Sequence, residues 1–327
     1  MPHSPRVLPL LALAVASLSP AVGLAQSTAP GLFTFWQDPE QELQLSGSGM
    51  FQNQGHVKKT DEDVQLTIYD AAGRYRFTTQ YPINPTVGFD YTLLDVESDR
   101  PGVPEQLVDT AVGFASPVKK FENDWFLALG ASVGYAGPGP FGDADAFYGR
   151  GTVIVGKQLG PDSNLLIALD YDGNRAVFPD VPLPGFVYTF NAERRVKLAV
   201  GFPFNTITWQ PVEPLKIEAT VAIPNADATV RITYKLAEPV QLFANYERRT
   251  EAFEVEGLPK VDRMFFEQRF AEAGVKWSPA RNVGLTVAGG YAFGQEFSTG
   301  FDLRDTDLVY KPSDSLYGRV GLEVWPW

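Results

Sequence analysis

The chain has 327 residues, 39 acidic against 27 basic side chains, a formal charge of −12, no cysteine and two histidines. An acidic balance of this size disfavours nucleic acid and anionic lipid patches as partners. The lack of cysteine excludes a disulfide-stapled scaffold, and one histidine beyond residue 25 leaves little material for histidine catalysis or a transition-metal centre.

Residues 1–25 read as a signal peptide. Arg6 gives the positive n-region, Val7, Leu8, Leu10, Leu11, Leu13, Val15 and Leu18 give the apolar core, and Gly23-Leu24-Ala25 gives the small residues of a cleavage site after Ala25. Pro9 and Pro20 interrupt a stretch already shorter than the ~20 apolar residues of a spanning helix, which disfavours a membrane anchor. No cysteine follows the site, so no lipoprotein anchor is expected, and 327 − 25 = 302 residues remain. Residues 26–41 are expected to form a periplasmic N-terminal extension, and residues 42–327 the folded domain. Beyond residue 25 no apolar run reaches the length of a spanning helix.

From there the chain alternates with period two, broken by Gly, Pro, Asn and Asp clusters. Segments with this pattern fall at 43–51, 64–80, 87–93, 108–114, 125–135, 147–155, 165–171, 196–202, 215–221, 230–236, 240–246, 271–277, 283–293 and 316–324. They predict an all-β fold, a transmembrane antiparallel up-and-down β-barrel of about fourteen strands, with twelve as the alternative count. Asp70-Ala71-Ala72-Gly73 is either a bulge in one long strand or an extra hairpin turn. Connections tend to alternate between short (158–163, 210–214, 236–239, 278–282) and long (97–105, 137–145, 172–195, 251–263, 294–313). Short turns opposite long loops are the asymmetry of an outer-membrane barrel, with both termini on the periplasmic side.

Alternation alone also suits a soluble exported β-sandwich, so dimensions and girdles decide. Trp125 and Tyr135 lie ten residues apart on one greasy row, which at ~3.3 Å per residue and a tilt of ~40° spans roughly 25 Å, the height of an outer-membrane apolar band. Tyr171, Trp277 and Tyr291 sit near the ends of other greasy rows, where an amphipathic ring suits the headgroup level. The opposite rows carry Lys197, Lys216, Glu218, Arg231, Lys235, Glu247, Glu272, Lys276, Arg319 and Glu323, which in a barrel must face the lumen. Those charges read either as an ion-paired wall or as the lining of a water-filled conduit. Small residues on the same faces, Ala128, Gly130, Ser132, Gly134, Gly284, Ala288, Gly290 and Ala292, are expected to leave room for a narrow pore.

Other motifs carry less. His56, in a polar turn-like stretch, would have to anchor any lipid-hydrolase chemistry and reads as a loop residue. The run from Gly151 to Lys157 has phosphate-loop spacing, but Gln158 stands where Ser or Thr should follow and the interior is β-branched, so it reads as a strand. Asp170, Asp172 and Asn174, like Asp302, Asp305 and Asp307, lack the order of a calcium loop and read as solvated acids. No cofactor is expected.

The last strand closes on Trp325-Pro326-Trp327, and such an aromatic ending resembles the signal by which barrel-assembly machinery recognises its substrates. With the signal peptide and the central stretch Leu183-Pro184-Gly185-Phe186, Val200-Gly201-Phe202-Pro203-Phe204 and Ile207-Thr208-Trp209-Gln210-Pro211, the chain resembles an uncharacterised family of single-chain bacterial outer-membrane β-barrel proteins. The resemblance implies a membrane address and a fold, with no reaction attached. The expected partners are outer-membrane lipid, the assembly machinery and small solutes, with no nucleic acid. The expected function is a passive, narrow, porin-like channel for small hydrophilic solutes, the alternative being a plugged structural or surface-contact barrel. No enzyme is expected.

Overall fold

Backbone hydrogen bonding turns this alternation into a single closed sheet, in a computed structural model that describes residues 42–53, 55–57, 62–77, 85–98, 103–116, 119–139, 141–192, 195–223, 227–259 and 261–325. The expected signal peptide, the 26–41 extension and Trp327 lie outside these residues. Nineteen hydrogen-bonded segments make up the sheet. Three of them, Gly55–Val57, Lys119–Lys120 and Asp305–Tyr310, only extend the line of an adjoining strand, which leaves sixteen barrel strands.

In chain order these are β1 (Leu43–Gln52), β2 (Glu62–Arg76), β3 (Thr86–Glu97), β4 (Gln106–Ala115), β5 (Trp125–Pro138), β6 (Phe147–Gly160), β7 (Ser163–Asp172) and β8 (Leu183–Ala192). Then follow β9 (Val196–Phe202), β10 (Phe204–Val212), β11 (Leu215–Ala222), β12 (Asp227–Ala237), β13 (Val240–Phe253), β14 (Arg263–Ala280), β15 (Val283–Asp302) and β16 (Ser315–Val324). Each pairs antiparallel with its neighbours, and β16 pairs with β1 from Leu45↔Val324 to Gln52↔Tyr317, which closes the barrel. Closure removes the two unpaired sheet edges that would otherwise invite aggregation.

The count corrects the expectation of about fourteen or twelve. The two strands missed are β8 and β10. Pro179, Pro182 and Pro184 precede or open β8 and disguise it as loop, although Phe186, Tyr188 and Phe190 alternate cleanly with Val187, Thr189 and Asn191. Between β9 and β10 stands Pro203 alone, too brief a break for a turn cluster to signal. The stretch Asp70 to Gly73 is neither a bulge nor a turn: β2 runs straight through it, in unbroken register with β1 and β3. Outward-facing Gly73 is covered by the Phe89 and Leu45 side chains, which takes the place of its own side chain. The long loop expected at 294–313 is for the most part strand as well. Gly294, at φ 59°, sits where the β14–β15 register shifts by one residue, and β15 then continues to Asp302 and folds back along Asp305–Tyr310.

Glu42 and Trp325, the first and last described residues, lie at one end of the barrel, here the terminus side, and the other end is the loop side. Strand length varies strongly around the ring. β9, β10 and β11 have 7, 9 and 8 residues, whereas β13, β14 and β15 have 14, 18 and 20, so the wall is low on one flank and tall on the other.

The outer surface inverts the rule for a soluble protein. Val112, Leu129, Val133, Ile167, Leu169, Phe186, Val287, Val320 and Leu322 are all exposed, forming a continuous apolar belt rather than scattered residues. On the terminus side the belt ends in exposed aromatics, among them Tyr75, Phe114, Trp125, Trp209, Tyr234 and Trp277. On the tall flank it ends on the loop side at Tyr246, Tyr291 and Phe293, and the ion pair of Arg248 with Glu267, 2.8 Å, lies just beyond. No helix among the described residues is long and apolar enough to cross a membrane.

Inward-facing glycines are covered by rings from the neighbouring strand: Tyr148 over Gly134, Phe126 over Gly156 and Tyr317 over Gly290. Gly156→Val is therefore expected to displace Phe126, which is fully buried, and to destabilise the barrel by about 1–3 kcal/mol in urea unfolding, as overpacking does. Unchanged unfolding would show that Phe126 has somewhere else to go.

Candidate functional site: a layered lumen

Every strand contributes alternate residues to the interior, and the registers stack them in three tiers. The lowest, on the terminus side, is rich in basic groups. Lys276 Nζ sits 2.8 Å from Glu323, Lys216 Nζ 2.6 Å from Glu218, and Arg319 3.2 Å from Glu272, while Arg74 donates to Gln44 at 2.7 Å. Tyr317 also donates to Glu272 at 3.1 Å. Arg231 lies over the Phe243 ring, 4.4 Å from its centroid. Between these groups is a cavity of about 50 Å³, partly open to solvent and lined by Ser46, Ser48, Arg231, Phe243, Glu272, Thr286, Arg319 and Glu323.

The middle tier is dominated by carboxylates. Arg249 bridges Glu251 at 2.6 Å and Asp70 at 3.3 Å, and Thr92 donates to Asp70 at 3.0 Å, tying β13 to β2 and β3 across the interior. Arg150 pairs with Asp172 at 3.1 Å, Arg175 with Asp170 at 2.7 Å, and Tyr148 donates to Asp109 at 2.7 Å. Asp90 and Glu247 are buried in the same tier. Burying charges on this scale is tolerated because most are paired, and the pairs lock strands that are distant in sequence.

The third tier, on the loop side, is apolar. Val64, Leu66 and Ile68 of β2, Leu94 and Val96 of β3, Leu107 of β4, Phe253 of β13, and Met264 and Phe266 of β14 pack with Phe297 and Tyr310 into one buried cluster, reinforced by Val103, Val255 and Leu258 from the loops and by Val309 of the Asp305–Tyr310 segment. Phe266 and Phe297 stack with centroids 4.7 Å apart. Glu254, just past β13, donates its N–H to the Ala136 carbonyl of β5 at 2.9 Å. β5 and β13 stand half a turn of the ring apart, so this bond joins opposite walls and narrows the lumen there. Burial pushes the Glu254 carboxyl up from its ordinary range, with nearby Arg263 opposing the shift. Residues 173–182 fold over the top: Asn174 donates to the Ala252 carbonyl at 3.0 Å, and Arg263 donates to Asn174 and to the Arg175 carbonyl.

All ten charged residues picked from sequence fall on inward rows, and nine of them, Lys197, Lys216, Glu218, Arg231, Glu247, Glu272, Lys276, Arg319 and Glu323, stand within the barrel. Lys235 stands apart, at the terminus-side rim, where it donates to Glu238 at 2.6 Å and holds that carboxyl below its usual range. Trp125, Trp277 and Tyr291 are exposed on the outer face, Trp125 with Lys157 over its ring at 5.3 Å. Tyr171 is half-buried and donates to Asp180 at 2.7 Å. Tyr135 differs from the expected exposed ring: it is 1 % exposed, covered by Phe141 and Phe147 folding down from the loop side. Trp325 bonds through its indole N–H to the Arg281 carbonyl, and Trp327 lies outside the described residues.

The expected room beside the small inward residues is filled at Gly134 by the Tyr148 ring and at Gly290 by the Tyr317 ring, while Lys276 and Trp325 lie against Gly284. His56 falls in Gly55–Val57, the extension of β1. The run 151–157 lies inside β6. Asp302 is engaged by Arg304 across the turn between β15 and Asp305–Tyr310. Among the described residues no group of three or more His, Cys, Asp or Glu is arranged to hold a metal ion.

No protein-family model and no curated protein matches this chain. Its neighbours among solved structures include outer-membrane channels and porins. The Pseudomonas putida toluene transporter TodX is 9 % identical, with 91 % of each chain covered and a TM-score of 0.39. The Acinetobacter baumannii outer membrane protein Omp33 is 10 % identical over 88 % of this chain and 99 % of its own, at a TM-score of 0.38. The KdgM porin is 11 % identical over 86 % and 99 %, at 0.28. Likeness of that degree transfers neither a residue role nor a solute to this chain.

Proposed function

We propose that the chain is an outer-membrane barrel that conducts small hydrophilic solutes through its charged lumen when the loop-side closure opens. The observation that carries this reading is the inversion of the two faces. An exposed apolar belt ending in aromatics surrounds an interior of paired charges, the arrangement lipid outside and water inside would select. A soluble barrel would bury the first and expose the second. The cavity beside Arg231 and Glu323 gives the solute an entry from the terminus side.

Planar-bilayer recording of the refolded chain tests the conduit. Wild-type protein is expected to rest closed with rare brief steps, and loosening the middle tier by Arg249→Met is expected to lengthen the open periods. Folded protein that never rises above the empty-membrane background, in either form, counts against conduction. That outcome would favour a second reading, a sealed barrel acting through its loops, for which the wall-to-wall bond of Glu254 to Ala136 is the specific support.

A further inference from the structure

Two basic groups of the lumen have no hydrogen-bonded or ion-paired partner among the described residues, Lys197 and Arg231, and of these Arg231 lines the lower cavity. Glu272 already accepts from Arg319 and Tyr317, and Glu323 from Lys276, so both carboxylates of the lower cavity are occupied. Arg231 makes no hydrogen bond or ion pair with any described residue. Its Cζ lies 4.4 Å from the centroid of Phe243, which is 5 % exposed, and this cation–π contact holds the guanidinium in the wall of the cavity that both residues line. Glu218, its partner across the β11–β12 register, is taken by Lys216. Ser46 and Thr286 add hydroxyls to the same lining, and the Gly47 and Gly321 backbones let a ligand approach closely.

We propose that this cavity is a binding site for a small hydroxylated monocarboxylate, its carboxylate seated on the Arg231 fork and its hydroxyls on Ser46 and Thr286. A planar guanidinium pre-set on an aromatic ring loses little freedom on pairing, and its five donors match the two oxygens of a carboxylate. Hydroxyl partners then separate such a solute from an inorganic anion. Because both cavity carboxylates are neutralised in place, no opposing charge is free to repel it. The inference deepens the conduit reading by naming the class of solute held on the terminus side, and it rests on that reading for its biological meaning. Its test does not.

The experiment is titration calorimetry of the detergent-solubilised, folded barrel with sodium gluconate, and with sorbitol as the uncharged counterpart. Wild type is expected to bind gluconate and not sorbitol. Arg231→Gln is expected to weaken gluconate by about tenfold or more, the order of a lost charge-assisted pair, and Arg231→Lys to fall between. Lys235→Gln, at the rim, is expected to leave binding unchanged. Absence of gluconate binding to wild type, equal binding of sorbitol, or binding indifferent to Arg231→Gln each overturns the site. Should Arg231→Gln fail to give the heat-modifiable folded form, Arg231→Lys and competition by added chloride carry the test, and undiminished gluconate binding in both overturns it. Gluconate binding without any bilayer current would keep the site and remove the conduit. Current without Arg231-dependent binding would do the reverse.

Discussion

Arg249→Met is expected to lower the unfolding free energy of the barrel by about 3–5 kcal/mol, the largest effect of any single substitution inside the lumen. The guanidinium is the shared partner of Asp70 and Glu251, and all three side chains are less than a tenth exposed. Removing it leaves two carboxylates buried side by side with no positive charge within reach, which is far more unfavourable than never having buried the trio. The measurement is urea unfolding from lipid vesicles, followed by the heat-dependent shift in gel migration. Neutralising the two acids in the same protein, Arg249→Met with Asp70→Asn and Glu251→Gln, is expected to recover a substantial part of the loss. If the single and triple variants were equally unstable, the defect would lie in the space Arg249 fills and not in stranded charge.

The second large effect is expected on the outer face. Leu129 is 43 % exposed, midway along β5, on the row that begins at Trp125 and continues through Val133. An arginine there would meet hydrocarbon if the belt faces lipid, and Leu129→Arg is expected to weaken folding into vesicles by about 2–4 kcal/mol. On a protein whose outer face meets water, an extra surface charge changes stability by at most about 0.5 kcal/mol. A change that small would remove the membrane placement, and with it the proposal that the lumen conducts.

Much of the architecture is legible in the residue order. Period-two alternation announced fourteen of the sixteen strands, and of the five row-end aromatics Trp125, Trp277 and Tyr291 are exposed on the outer face, whereas Tyr135 is buried and Tyr171 half-buried. What escaped has a common physical origin. The inward rows change character along their length: Val64, Leu66 and Ile68 share a row with Asp70, Leu94 and Val96 with Asp90, and Phe253 with Arg249 and Glu251. Read locally, the apolar end of such a row looks lipid-facing. Its true side is set by register with distant strands and by loops that reach back over the opening, neither of which leaves a local trace. The same holds for the small residues. A glycine row suggests free space, but the ring that fills it belongs to the next strand, and only pairing reveals which ring that is. The middle-tier pairs, such as Arg249 with Asp70 across 179 positions of sequence, follow from closure of the ring rather than from spacing.

The uneven wall gives the molecule a front and a back in the plane of the bilayer. A twenty-residue strand at ~3.3 Å per residue is roughly 66 Å long, about 50 Å of height at a tilt of ~40° and about twice the ~25 Å apolar band, whereas a seven-residue strand is about 23 Å long and no taller than that band. On the proposed membrane placement the tall flank stands clear of the leaflet like a parapet on the loop side. The flank at β9–β11 is left nearly flush, so that anything sliding along the lipid surface could come up against the rim there without climbing.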